Sequence, residues 1–157
     1  MKSISRIARM LGIAAVLSLA IVTSATPAYA SGTSYDGTDP AATGCVSGSY
    51  AIWSAYLYNY TIPGDEMGEV EVMYSPRCVT NWVRVYINPG QGFVYTALKY
   101  IERPAGNGLP EYDNTVEDTA TGWSYGMQVY APGCIWVEGM IVTPVSMAAE
   151  SGEQYLC

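Results

Sequence analysis

Apolar and polar side chains alternate with period two along much of this 157-residue chain, and no stretch repeats apolar residues at the spacing of an amphipathic helix. Between Tyr50 and Ile62, Ala51, Trp53, Ala55 and Leu57 fall on one side of an extended ribbon. Tyr50, Ile52, Tyr56, Tyr58 and Tyr60 fall on the other. Pro63-Gly64-Asp65 then turns the chain, and Gly68–Ser75 sets Val70, Val72 and Tyr74 against Glu69, Glu71 and Met73. In Asn81–Asn88, Trp82, Arg84 and Tyr86 oppose Val83, Val85 and Ile87. Further strands are expected at Phe93–Glu102, Trp123–Tyr130 and Cys134–Thr143, with a short edge segment at Gln154–Leu156. The intervening Arg103–Gly122, rich in proline, glycine and acids, reads as a long irregular loop. The expected fold is all-β: a small β-sandwich or partly open barrel of six to seven strands.

Residues 1–30 have the order of a secretory signal peptide. Lys2, Arg6 and Arg9 precede an apolar run from Leu11 to about Ala25, and Ala28-Tyr29-Ala30 supplies small residues for cleavage after Ala30. That run is shorter than the roughly twenty residues of a membrane span, and no cysteine follows the cleavage point to carry a lipid. Residues 31–157 are then one secreted domain with no membrane anchor. It holds all four cysteines, Cys45, Cys78, Cys134 and Cys157. An even count in an oxidising compartment predicts two disulfides. Of the three possible pairings, Cys45–Cys78 with Cys134–Cys157 is favoured, because each bridge then ties sequence neighbours.

Charge and composition narrow the chemistry. The expected leader takes three of the seven basic residues, leaving Arg77, Arg84, Lys99 and Arg103 against fourteen acids, a net charge of −10. Such a surface repels phosphate backbones, so nucleic acid is not an expected partner. Histidine is absent, which removes Ser-His-Asp and Cys-His catalysis and histidine-containing zinc sites. Paired cysteines offer neither a thiolate nor a metal ligand.

Several residue groups are candidate sites. In Tyr35–Cys45, Asp36 and Asp39 present oxygens suited to a hard cation such as Ca²⁺, or else fold the segment through Asx turns. Asp113, Glu117 and Asp118 offer a second weak cation site in the acidic loop. Glu69 and Glu71 share one side of a strand about 6.5–7 Å apart, a spacing compatible with a glycosidase carboxylate pair. Thirteen tyrosines beyond the leader against one phenylalanine imply rings at partly wet positions. Tyr56, Tyr58 and Tyr60 form a strip that either stacks a glycan or protein partner or packs beneath the acidic loop. Arg84, beside Trp82, is expected to fix the sheet through a carboxylate.

Three segments together carry a family resemblance: YDGTDPAATGC (Tyr35–Cys45), GEVEVMYSPRCVTNWVRV (Gly68–Val85) and WSYGMQVYAPGCIWVEGMI (Trp123–Ile141). The combination resembles the YjfA-like family of short secreted bacterial proteins, domain of unknown function 2690. By position, Cys45 and Cys78 match that family's first two cysteines, and Trp82 and Arg84 its Trp-x-Arg element. The resemblance implies export and a small β-rich domain, and it implies no catalytic residue. Met73, where the pattern more often has arginine, and the tyrosine-rich strand before Pro63 depart from it.

The function expected from these readings is non-enzymatic: an extracellular binding or cell-envelope-associated module for a protein or glycan, without a cofactor unless Ca²⁺ binds. The alternatives are an inhibitor presenting Arg103–Tyr112 to an extracellular protease, and a carboxylate hydrolase.

Overall fold

Ten strands, all paired antiparallel, build two sheets packed face to face in the computed structural model, which describes residues 32–90, 94–144 and 146–157. The expected signal peptide lies outside the described residues, as does Phe93. No helix among the described residues is long and apolar enough to cross a membrane. The first sheet runs β1 (Tyr50–Tyr58), β2 (Glu66–Ser75), β3 (Thr80–Ile87) and β6 (Gly122–Tyr125), with β7 (Val129–Tyr130) also on β3. The second runs β10 (Gln154–Leu156), β8 (Ile135–Val142), β4 (Thr96–Arg103) and β5 (Tyr112–Thr119), with β9 (Met147–Glu150) also on β8. No barrel closes.

The alternation explains the core. Val70 and Val72, Val83, Val85 and Ile87 from the first sheet meet Ala97, Ile101, Ile135, Val137 and Ile141 from the second, all buried. Each fully buried valine or isoleucine stabilises the fold by roughly 1.5–3 kcal/mol relative to an exposed one. The sheets approach closely at Gly139, where a Cβ would stand 2.4 Å from Val70 Cγ2. A bulge at Ala51/Trp53 shifts the phase of β1, so Trp53, Ala55 and Leu57 turn inward while Ala51 stays in water.

The stretch expected as one long loop, Arg103–Gly122, instead contains β5, paired along its whole length with β4. Its acids suit an edge strand, because charged side chains there remain hydrated and discourage pairing with other chains. What remains of the loop is a tight turn in which Gly106 and Leu109 exchange backbone hydrogen bonds of 3.1 and 2.8 Å. The inner face of β5 also reaches a polar contact. Lys99, whose side chain is fully enclosed, donates to Asp118 and to Ser124 of β6 and so joins the two sheets at this seam. Burial pushes the Lys99 amine below its ordinary value, against the pull of Asp118. Desolvation is the largest single influence on Asp118 and pushes it up. The hydrogen bonds from Lys99 and Ser124, with the Lys99 charge, outweigh it and leave the carboxyl below the usual range.

On the outer face of the second sheet, burial and then the charges of Glu150 and Glu153 raise the Glu138 carboxyl. A raised folded value contributes stability that is fully present at acid pH and is lost as pH rises through it. Glu138→Gln is therefore expected to be more stable than the parent near pH 8, by about 0.5 kcal/mol as for opposed like charges on a sheet. Near pH 4 the difference should vanish. Thermal unfolding at the two pH values checks this.

Candidate functional site: the outer face of the first sheet

The outward residues of four neighbouring strands form two rows. In one, Tyr56 of β1 lies opposite Glu69 of β2, Glu69 opposite Tyr86 of β3, and Tyr86 opposite Trp123 of β6. In the other, the order is Ser54, Glu71, Arg84 and Tyr125. Three strand spacings make each row about 14 Å long. Tyr56 is 58 % exposed, Tyr58 48 % and Tyr125 47 %, so these rings face water. They do not pack beneath β5, which belongs to the other sheet. Tyr86 and Trp123 meet with ring centroids 5.3 Å apart, and Tyr56 and Tyr58 at 6.4 Å.

Arg84 organises the second row. Its Nε and Nη2 both donate to Glu71, and its guanidinium lies 4.1 Å over the Trp123 ring and 6.0 Å from that of Tyr125. The expected carboxylate partner of Arg84 is thus Glu71. That pairing separates the two glutamates of the glycosidase reading: both are on this face, but Glu71 is occupied by Arg84. The Glu69 carboxylate makes no hydrogen bond or ion pair among the described residues. Burial and the neighbouring Glu71 raise its carboxyl, with Arg84 opposing and Glu66 adding to the rise.

Tyr60 leaves the strip. It lies beyond the end of β1, and its N–H donates to Ala148 O of β9, 3.0 Å away. Burial and the hydrogen bond to Glu150 push its hydroxyl up to about 12. The preceding Asn59 is bound within its own turn, its side chain donating to Asp65 and accepting from Thr61.

The candidate cation ligands do not converge. Asp36 accepts from Arg103, Asp39 caps the N–H of Ala41 at 2.7 Å, and Asp118 faces Lys99. Asp113 and Glu117 point outward from β5, the opposite way from Asp118. No group of three or more acidic or cysteine side chains among the described residues is placed to hold a metal ion.

An N-terminal arm, residues 32–49, decides how much of the first sheet's outer face stays open. The Cys45–Cys78 bridge pins it at the β2–β3 turn. Buried Gln128 donates to Thr38 and Thr43 of the arm and accepts from Thr80 of β3. Beneath this end of the face, Ser75, Thr80 and Trp82 are buried, Trp82 with only 1 % exposure. Farther along the same face Arg84 and Tyr86 are half-buried and Tyr125 is exposed. Sequence reasoning found Tyr56, Tyr58 and Arg84 but missed Tyr86, Trp123, Tyr125 and Glu69 as their neighbours. Their outward phase was visible; which strands pair was not.

A family model described as "Protein of unknown function (DUF2690)" matches residues 33–128. The chain belongs to the DUF2690 family. No curated protein and no solved structure matches it. Both rows lie within the matched span, whereas β8, β9 and β10 lie beyond it. In this DUF2690 protein the Asp36-Gly37 and Gly44-Cys45 elements hold the arm in place. Gly37, at φ +72°, sits where a Cβ would come within 2.5 Å of the Tyr112 hydroxyl.

Proposed function

We propose that this DUF2690 protein acts outside the cell as a non-enzymatic binding module that holds a glycan on the outer face of the first sheet. The observation that carries this reading is the row Tyr56–Glu69–Tyr86–Trp123, which crosses four strands from exposed Tyr56 through half-buried Glu69, Tyr86 and Trp123. A sugar ring has a face of C–H groups that stacks on an aromatic ring, and hydroxyls at its rim that need polar partners. The rows supply both: rings at Tyr56, Tyr86 and Tyr125, and carboxylates and a guanidinium between them. The two disulfides and the leader-like first thirty residues support work in an oxidising, extracellular setting.

Isothermal titration with neutral hexose oligosaccharides tests the reading. Tyr56→Ala and Trp123→Ala are each expected to weaken binding about tenfold, or ~1.4 kcal/mol. Tyr155→Ala, on the opposite sheet, should leave it unchanged. A glycan panel of neutral, acidic and amino sugars giving no binding would remove the proposal, and so would binding that survives both substitutions on the first sheet.

A further inference from the structure

Glu69 stands between two rings, with Tyr56 opposite it on β1 and Tyr86 opposite it on β3. It is half-buried, and no described residue pairs with its carboxylate. Glu71, Arg84 and Glu66 all lie close enough to act on it electrostatically, with Arg84 opposing the two acids. Arg84 is the one cation in the two rows, and its charge is engaged by Glu71 and by the faces of Trp123 and Tyr125. Two of the other three basic residues of 32–157, Lys99 and Arg103, are buried on the inner side of β4. The open face is therefore net negative, within a segment that carries fourteen acids and four basic residues.

This field sorts glycans by charge. A uronic, sialylated, sulfated or phosphate-linked polymer brings anions toward Glu66, Glu69 and Glu71 and is repelled. A neutral sugar stacks but leaves the partly desolvated Glu69 with hydroxyl partners alone. An ammonium group gives Glu69 a charge-assisted hydrogen bond, and the flanking tyrosine faces attract the same cation. We infer that the ligand of this face is a glycan bearing free amino groups, a de-N-acetylated hexosamine polymer, with an ammonium on Glu69 and sugar rings over Tyr56 and Tyr86. The inference rests on the glycan reading above and adds the ligand's charge class.

Titration of the protein with a glucosamine hexamer, an N-acetylglucosamine hexamer and a glucose hexamer, near pH 6, is the test. The glucosamine hexamer is expected to bind at least tenfold more tightly than its N-acetylated form, with the advantage shrinking as salt is raised. Glu69→Gln should erase that advantage, bringing the glucosamine hexamer to within twofold of its N-acetylated form. Glu138→Gln, on the far sheet, should preserve it. Equal affinity for the acetylated and deacetylated hexamers overturns the inference and leaves the glycan reading standing. A loss of preference in Glu138→Gln as large as in Glu69→Gln assigns the effect to overall charge and also overturns it. Failure of all three hexamers to bind overturns both.

Discussion

Asp36→Ala is expected to destabilise the domain by about 3–5 kcal/mol, the cost of leaving one member of a buried ion pair without its partner. Both Asp36 oxygens accept from Arg103 Nη1, at 3.0 and 2.9 Å, and Oδ1 also accepts the Tyr130 N–H at 2.8 Å. The side chains are only 4 % and 7 % exposed, so water cannot replace the lost carboxylate without opening the arm. Arg103 is otherwise held by the carbonyls of Pro110 and Tyr130 and by the Tyr112 ring 5.7 Å away, and its Nη2 has no hydrogen-bond partner among the described residues. Those carbonyls orient the guanidinium but do not neutralise it. The double variant Asp36→Ala/Arg103→Met removes charge and counter-charge together and is expected to be more stable than Asp36→Ala alone. Urea denaturation of parent, both single variants and the double variant measures the coupling. An Asp36→Ala loss below about 1 kcal/mol would mean that the arm is not anchored here.

The contrast between this pair and the strands shows what a sequence of this kind exposes. Strand positions were legible because burial in a two-sheet fold follows side-chain phase: Val83, Val85 and Ile87, or Ile135, Val137 and Ile141, declare their inner face by alternation alone. Phase failed where the physics is not hydrophobic. β5 escapes a reading by alternation because its inner positions include Asn114 and Asp118, polar residues that alternation cannot distinguish from a loop. The Asp36–Arg103 pair joins residues 67 apart in sequence, and no local pattern announces that. The same limit applied to the candidate site. Tyr56 and Tyr58 were visible as a strip within one strand, but Glu69, Tyr86 and Trp123 join them only through the register of β1, β2, β3 and β6. Asp36 and Asp39, close in sequence, offer either a shared cation site or Asx turns, and sequence alone leaves both open. The fold gives them separate structural tasks.

Removing the Cys45–Cys78 bridge as the double Cys→Ala variant is expected to lower stability by about 3–4 kcal/mol from chain entropy alone, for a loop of sequence separation 33. Alanine is the appropriate replacement because Cys45 is fully buried and Cys78 nearly so, packed with Tyr35, and a serine hydroxyl there would need a partner. The native side adds to the entropic loss. Cys78 precedes Val79, a β-branched residue at φ 56°, a conformation that costs of order 1–3 kcal/mol and persists only where its surroundings enforce it. Hydrogen bonds from Val79 N to Ser75 O and from Ala131 N to Val79 O hold the turn, and the bridge is its covalent tie to the arm. The corresponding Cys134–Cys157 variant has nearly the same loop term, for a separation of 23, but Cys157 is exposed and the bridge secures only the three-residue β10. Its loss should appear first as local opening of Gln154–Leu156 in hydrogen exchange, ahead of global unfolding. The measurable distinction is therefore where protection is lost: the first variant is expected to lose it across the arm and β2–β3 turn as well as in global stability, and the second at the β10 edge. Equal global losses with no local difference in exchange would show that the arm is no more dependent on its bridge than the C-terminal strand is.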